Sequence, residues 1–185
     1  MTVFPVFLDA CALVPIRLTD VLLRLAEAGT YRPLWSADVL AEVERTLVVR
    51  FDVPPHKAAR RIRLMRAAFP EAEVTGYGHL VDVMTNDHGD RHVLAAAVRS
   101  GAKVIVTANR RHFPASALAP YDINAMHPDD FLLDQFDLYP RHTMRCLADL
   151  LAAKRNPPVS CEDFLAGFSA TVPGFAAALR KALSP

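Results

Sequence analysis

Three oxygen-bearing side chains stand where a parallel sheet would gather them. Asp9 closes the apolar run TVFPVFLDA, Asp90 stands just before RHVLAAAVRSG, and Asn109 follows KVIVT. In open α/β sheets ligands bind outside the carboxyl ends of the strands. A carboxylate at the end of an apolar strand is costly to bury unless it is paired or bound to a metal. Carboxylates without a lysine or cysteine among them suit a hard cation. Mg²⁺ takes oxygen ligands, keeps several waters, and uses one or two protein carboxylates together with substrate phosphates. The chemistry such a site favours is phosphodiester hydrolysis, with the ion orienting water and stabilising charge on the departing oxygen. Thr107 is placed to point a hydroxyl at the same spot, and Asp87 crowds Gly89 just ahead of Asp90.

Each of these residues also has a structural use. Asp90 precedes the stripe Val93, Leu94, Ala97 and Val98, and Asp is a good helix N-cap. Asp87 and Asn109 suit turns, and Asp9 could cap the next helix or start a turn, although ACALVP offers no clear helix start beside it. A fourth acid could come from the helix SADVLAEVERTLVVR, where Glu42 and Glu44 flank the face formed by Val39, Leu40, Val43 and Leu47 on opposite sides. Periodicity does not choose between them. The histidines form no evident zinc set: His88 and His92 are separated by Gly89 and a helix start, and His112, His127 and His142 are dispersed.

The elements that must position these groups alternate. After the first apolar strand the pattern predicts a helix over about 18–28 stopped at Gly29, then a helix from Ser36 to about Arg50. A further helix spans PPHKAARRIRLMRAAF, a brief strand lies in AEVTGYG, and a helix runs from about 90 to Gly101. KVIVT is a strand, and YDINAMHPDDFLL holds a short strand, a turn at Pro128 and a helix. Strands alternating with helices indicate βαβ units and a parallel sheet covered on both faces. From about 136 onward only helices are expected: YPRHTMRCLADLLAAKR, SCEDFLAGFSA and PGFAAALRKAL. The expected architecture is a three-layer α/β/α sandwich over residues 1–135 with a helical extension over 136–185.

Composition bounds the rest. A chain of 185 residues, 52% apolar and 22% charged, has ordinary globular composition and enough apolar side chains for a sizeable core. The net charge of +1 leaves any polyanion-binding surface to local clustering. Lys57, Arg60, Arg61, Arg63 and Arg66 fall within ten residues of one predicted helix, and Arg110 and Arg111 follow Asn109. Cys11, Cys146 and Cys161 are too few and scattered for a disulfide framework, and Cys11 is expected to pack as a small hydrophobe. The first residues read poorly as a signal peptide and are too short to span a membrane, so a cytoplasmic location is expected.

VFLDACALVP, SADVLAEVERTL, DHGDRHVLAAAVRSGAKVIVTANRRHFP and MHPDDFL, in that order, resemble a PIN-domain ribonuclease, and among these the VapC-type toxins of toxin–antitoxin pairs. The likeness covers roughly residues 3–135, and the helical tail is similar to the extension of one VapC subgroup. The resemblance assigns the family's acids to Asp9, Glu42 and Asp90, with Asp87 supporting. It implies Mg²⁺ or Mn²⁺ on Asp9 and Asp90, with Glu42 positioning or activating water, and cleavage of single-stranded or looped RNA such as tRNA or rRNA. Arg110, Arg111, Arg60 and Arg63 would contact the RNA, and a cognate antitoxin and a homodimer would be partners. The chain departs from the pattern at the fourth acid, where Asn109 stands, and at His112, where some relatives carry Asp. Two rivals follow: a housekeeping PIN nuclease of RNA maturation, and a silent PIN domain that binds RNA or protein.

Overall fold

The computed structural model describes residues 3–153 and 159–183. By their contacts they form two compact units, residues 1–14 with 31–126 and residues 15–30 with 127–185.

The first unit is built on five strands, β1 (Pro5–Leu8), β2 (Arg32–Ser36), β3 (Glu73–Val74), β4 (Val104–Val106) and β5 (Asn124–Met126). All pairings are parallel, in the order β3-β2-β1-β4-β5. The central strand reads as a continuous apolar run because both its faces are covered: Val6, Phe7 and Leu8 are fully buried. β2 tolerates Pro33 for a local reason. Arg32 N–H bonds Phe4 on the β1 side and Trp35 N–H bonds Ala72 on the β3 side. Pro33 therefore faces the β3 side, ahead of the register point Trp35–Glu73 where that ladder begins.

The helices of this unit are α1 (Ala10–Leu13), α3 (Ala37–Phe51), α4 (Pro55–Ala68), α5 (Arg91–Ser100) and α6 (Ala115–Leu118), while α2 (Ile16–Glu27) belongs to the second. Ser36 Oγ accepts from Val39 N–H at 3.2 Å and starts α3 as expected. Gly101, at φ 70°, ends α5 in the left-handed conformation that glycine adopts without strain. The sheet order steps outward from β1 to β3 and then returns to β4. Right-handed crossovers in opposite directions put α5 on the face opposite α3 and α4, giving three layers.

The expected strands and helices are found, together with β2, α1 and α6, which were not expected. α1 begins directly after Asp9, where no helix start was expected, because Asp9 itself supplies the cap: its Oδ1 accepts from Ala10 N–H at 2.7 Å.

The second unit is helical: α2, α7 (Pro128–Leu138), α8 (Pro140–Ala153), α9 (Cys161–Ala166) and α10 (Pro173–Leu183). Lys154 and Arg155, expected to end the α8 helix, lie outside the described residues. Its core is aromatic, with Phe168 edge-on to both Phe164 and Phe175, and Phe175 edge-on to Phe136. Asp129 caps α10 from a distant part of the chain, accepting from Gly174 N–H at 2.8 Å and Phe175 N–H at 2.7 Å. Among the described residues no helix is long and apolar enough to cross a membrane.

Candidate active site

The sheet reverses its order of connection between β1 and β4, and it is just past these two strands that the carboxyl end of the sheet turns polar. Asp9 continues the ladder beyond β1 through its N–H to Val106 O at 3.1 Å. This places its side chain beside Thr107, the residue that follows β4. Thr107 Oγ1 donates to Asp9 Oδ2 at 2.7 Å, and both residues are buried. The same hydroxyl oxygen accepts from Asn109 N–H at 3.0 Å and so fixes the turn after β4. The side chain of Asn109 is exposed.

Cys11 corrects an expectation. It does not pack as a small hydrophobe: its Sγ donates to Asp9 Oδ2 at 3.0 Å and accepts from Ala108 N–H at 3.1 Å. Burial, reinforced by the negative charge of Asp9, pushes the thiol up to about 12. At neutral pH it is a donor and not a thiolate ligand.

Among the described residues every donor to Asp9 is neutral: a hydroxyl, a thiol and an amide. Burial accordingly raises its carboxyl above the ordinary value. The bonds from Cys11 and Thr107 oppose that rise, and the nearby charge of Asp90 adds to it. A buried carboxylate with a second carboxylate close by lacks positive charge. An oxygen-seeking divalent cation would supply it.

Asp90 stands at the N-cap position of α5 but makes no side-chain cap bond. Its Oδ2 lies 2.6 Å from His112 Nδ1 instead. His112 Nε2 accepts from Arg111 Nε–H at 3.2 Å, which places the ring proton on Nδ1 as a donor to Asp90. Asp87 caps the short 3₁₀ turn His88–Asp90 through Gly89 N–H at 3.0 Å, and its own N–H bonds His112 O at 3.2 Å. Asp87, Asp90 and His112 each bring a potential ligand atom within 4.8 Å of the others. His112 is the one histidine of that group.

Glu42, half-buried on α3, meets His92 Nε2 at 2.9 Å. Burial would lower the basicity of His92. The hydrogen bond and charge of Glu42, with Asp38 and Asp90 beyond it, outweigh burial and raise its pKa. Through His92 the α3 acid is tied to the first turn of α5, two residues from Asp90.

The basic helix divides. Arg61 is occupied structurally, bonding Leu13 O at 2.6 Å and Val14 O at 3.0 Å at the end of α1. Arg66 pairs with Glu73 at 2.6 Å. Lys57, Arg60 and Arg63 are exposed on α4, and among the described residues no contact links them to the carboxylates. Arg110 and Arg111 are exposed in the 3₁₀ turn Arg110–His112, next to Asn109. His92, His112 and Cys11 were the residues sequence reasoning missed. Their positions were visible, but Glu42, Asp90 and Ala108, which they meet, lie in other elements.

Acidic side chains gathered at the switch point of a β3-β2-β1-β4-β5 parallel sheet, with a glutamate-bearing helix beside them, define the class. The chain belongs to the PIN-domain family, whose model matches residues 5–111. Residues 128–181 match a second model, described as the VapC50 C-terminal domain. The chain is 50% identical over 106 residues to the protein named "Putative ribonuclease VapC50" of Mycobacterium tuberculosis, a stretch that is 57% of this chain and 63% of that relative. The match therefore spans less than two thirds of the relative's length. No solved structure matches significantly.

Proposed function

We propose that the protein is a metal-dependent endoribonuclease of the VapC type, cutting tRNA or rRNA by phosphodiester hydrolysis. The observation that carries this reading is Asp9: buried at the end of the central strand, bonded among the described residues only by neutral donors, and within electrostatic reach of Asp90. In this reading Asp9 and Asp90 hold Mg²⁺, or Mn²⁺ in its place. The ion would supply positive charge at the scissile phosphate and lower the pKa of water. The chain's own groups do the rest. Thr107 and Cys11 orient Asp9, while His112 and the Asp87 turn orient Asp90. Glu42, steered by His92, positions and activates water, and Asn109 offers an uncharged carbonyl where many relatives carry an acid. Arg110 and Arg111 grip the RNA backbone bidentately, and Arg60 and Arg63 extend that grip along α4.

The similarity to a VapC relative supports a cognate antitoxin and a homodimer as partners, and a cytoplasmic site of action. The test is cleavage of a mixed tRNA and rRNA pool by the purified protein with Mg²⁺ or EDTA, beside Asp9→Asn and Asp90→Asn. Discrete cuts that need Mg²⁺ and vanish in both variants are expected. Cuts that persist in EDTA, or in either variant, would refute the metal site.

A further inference from the structure

A cleft of about 540 Å³ lies between the turn carrying Arg110 and Arg111, the helix α6, and the edge strand β5. Its volume is within the range of small-ligand sites, roughly 300–1,000 Å³. The apolar part of its lining includes Phe113, Leu118 and Ile123, which are almost completely buried. Among the described residues no carboxylate lines it, and its charged groups are the two arginines.

The strand side adds backbone polarity. Asn124 N–H bonds Lys103 O, and Met126 O accepts from Thr107 N–H, so both residues turn their backbone toward β4. Alternate residues of a parallel strand face alternate sides, and β5 ends the sheet. The N–H and C=O of Ala125 therefore face the open edge, and both Ala125 and the exposed side chain of Asn124 line the cleft. One donor and one acceptor side by side, with an adjustable amide next to them, match the hydrogen-bonding edge of a nucleobase.

The cleft is joined to the carboxylates. Arg111, which lines it, donates Nε–H to His112, and His112 sits on Asp90. Arginine carries four further N–H donors beyond Nε–H, enough to engage a phosphate at the same time.

We propose that this cleft is a nucleotide subsite. It takes one unpaired nucleotide of the RNA beside the scissile phosphate, with the base over the apolar lining and its edge on Ala125 and Asn124. The phosphate lies on Arg110 and Arg111. The proposal rests on the nuclease reading above for its substrate, and it locates where sequence preference arises. An extended peptide adding to the β5 edge is the competing occupant. RNA is favoured because the only charges are cationic and the exposed edge is three residues long, short for strand addition.

The test uses the full chain with Ala115→Trp, which fills the cleft from an exposed position, and Asn124→Ala. Thermal melts establish that both fold. Binding of a short labelled single-stranded RNA is read by anisotropy in EDTA, so a protein that cuts nothing still reports on the cleft. Ala115→Trp should weaken RNA binding about tenfold. In Mg²⁺, sequencing the cut ends from a random RNA pool should show wild type favouring one base at a fixed position beside the cut, and Asn124→Ala should lose that preference. Unchanged RNA affinity in Ala115→Trp overturns the subsite, as does an unchanged preference in Asn124→Ala. If a labelled extended acidic peptide loses affinity in Ala115→Trp and the RNA does not, the cleft is a strand-addition site and the proposal falls. Absence of cutting by wild type refutes the nuclease reading and leaves the binding result standing.

Discussion

Thr107 and Asp9 are 98 positions apart in the chain and 2.7 Å apart in space, joined by a buried hydrogen bond across the ends of two adjacent parallel strands. That bond fixes one oxygen of the buried carboxylate, and the same hydroxyl holds the turn bearing Asn109.

Thr107→Val should cost about 1–3 kcal/mol, because a buried charge-accepting oxygen loses its donor. Thr107→Ser keeps the hydroxyl and should recover most of that loss. Urea unfolding of the two variants in EDTA checks this, and a loss in Thr107→Ser as large as in Thr107→Val would show that the bond is not the main contribution of this side chain.

Asp9 gives stability a pH dependence of defined sign. Burial, aided by the charge of Asp90, raises its folded pKa above the ordinary 3.8. The folded state therefore keeps this proton to higher pH than the unfolded chain. Stability falls as pH climbs from the unfolded value through the folded one. In metal-free protein Asp9→Asn should flatten that decline and be at least as stable as wild type at neutral pH. The same variant should lose the rise in Tm that Mg²⁺ gives wild type. Thermal melts across pH, with EDTA or Mg²⁺, decide both points.

His92 behaves oppositely. Its folded pKa is raised above the ordinary 6.5, the bond and charge of Glu42 overcoming burial. The pair's contribution is complete below the unfolded pKa and disappears as pH rises through the folded one. His92→Asn should therefore cost more at about pH 6 than at about pH 9, with a difference of about 1 kcal/mol. Denaturation at the two pH values measures it, and a cost independent of pH would assign the loss to packing.

Arg61 and its neighbours should separate by assay. Arg61→Met removes bonds to two backbone carbonyls at the end of α1, at a cost of about 2 kcal/mol in stability. Arg60→Ala and Arg63→Ala, at exposed positions, should leave stability unchanged and each reduce the slope of log affinity for RNA against log salt by about 1. Slopes that do not change would remove α4 from the RNA surface.

The strands other than β2, the α3 and α5 helices and the acids at strand ends were legible because they rest on local signals: apolar runs, a Ser cap, a glycine stop. Asp90 shows where such signals stop. Its sequence context reads equally as a cap, and only the fold reveals that its carboxylate turns to His112, 22 residues later. Cys11 misleads for the same reason, since its partners Asp9 and Ala108 meet it only when β1 and β4 pair. Arg61 resembles its basic neighbours in sequence, yet the backbone carbonyls it serves lie 47 and 48 residues away. Helical periodicity places a side chain on a face and says nothing about which orphan carbonyl that face meets.

The division of the second unit between residues 15–30 and 127–185 has a consequence during synthesis. The buried row Leu18, Val21, Leu22 and Leu25 of α2 leaves the ribosome early, but α8, which packs on α2, follows more than a hundred residues later. At about 5–20 residues per second, that apolar row waits on the order of 5–20 seconds for its cover. The nascent chain should therefore be a chaperone client through this interval, and a message truncated before α8 should yield a product that is captured and degraded.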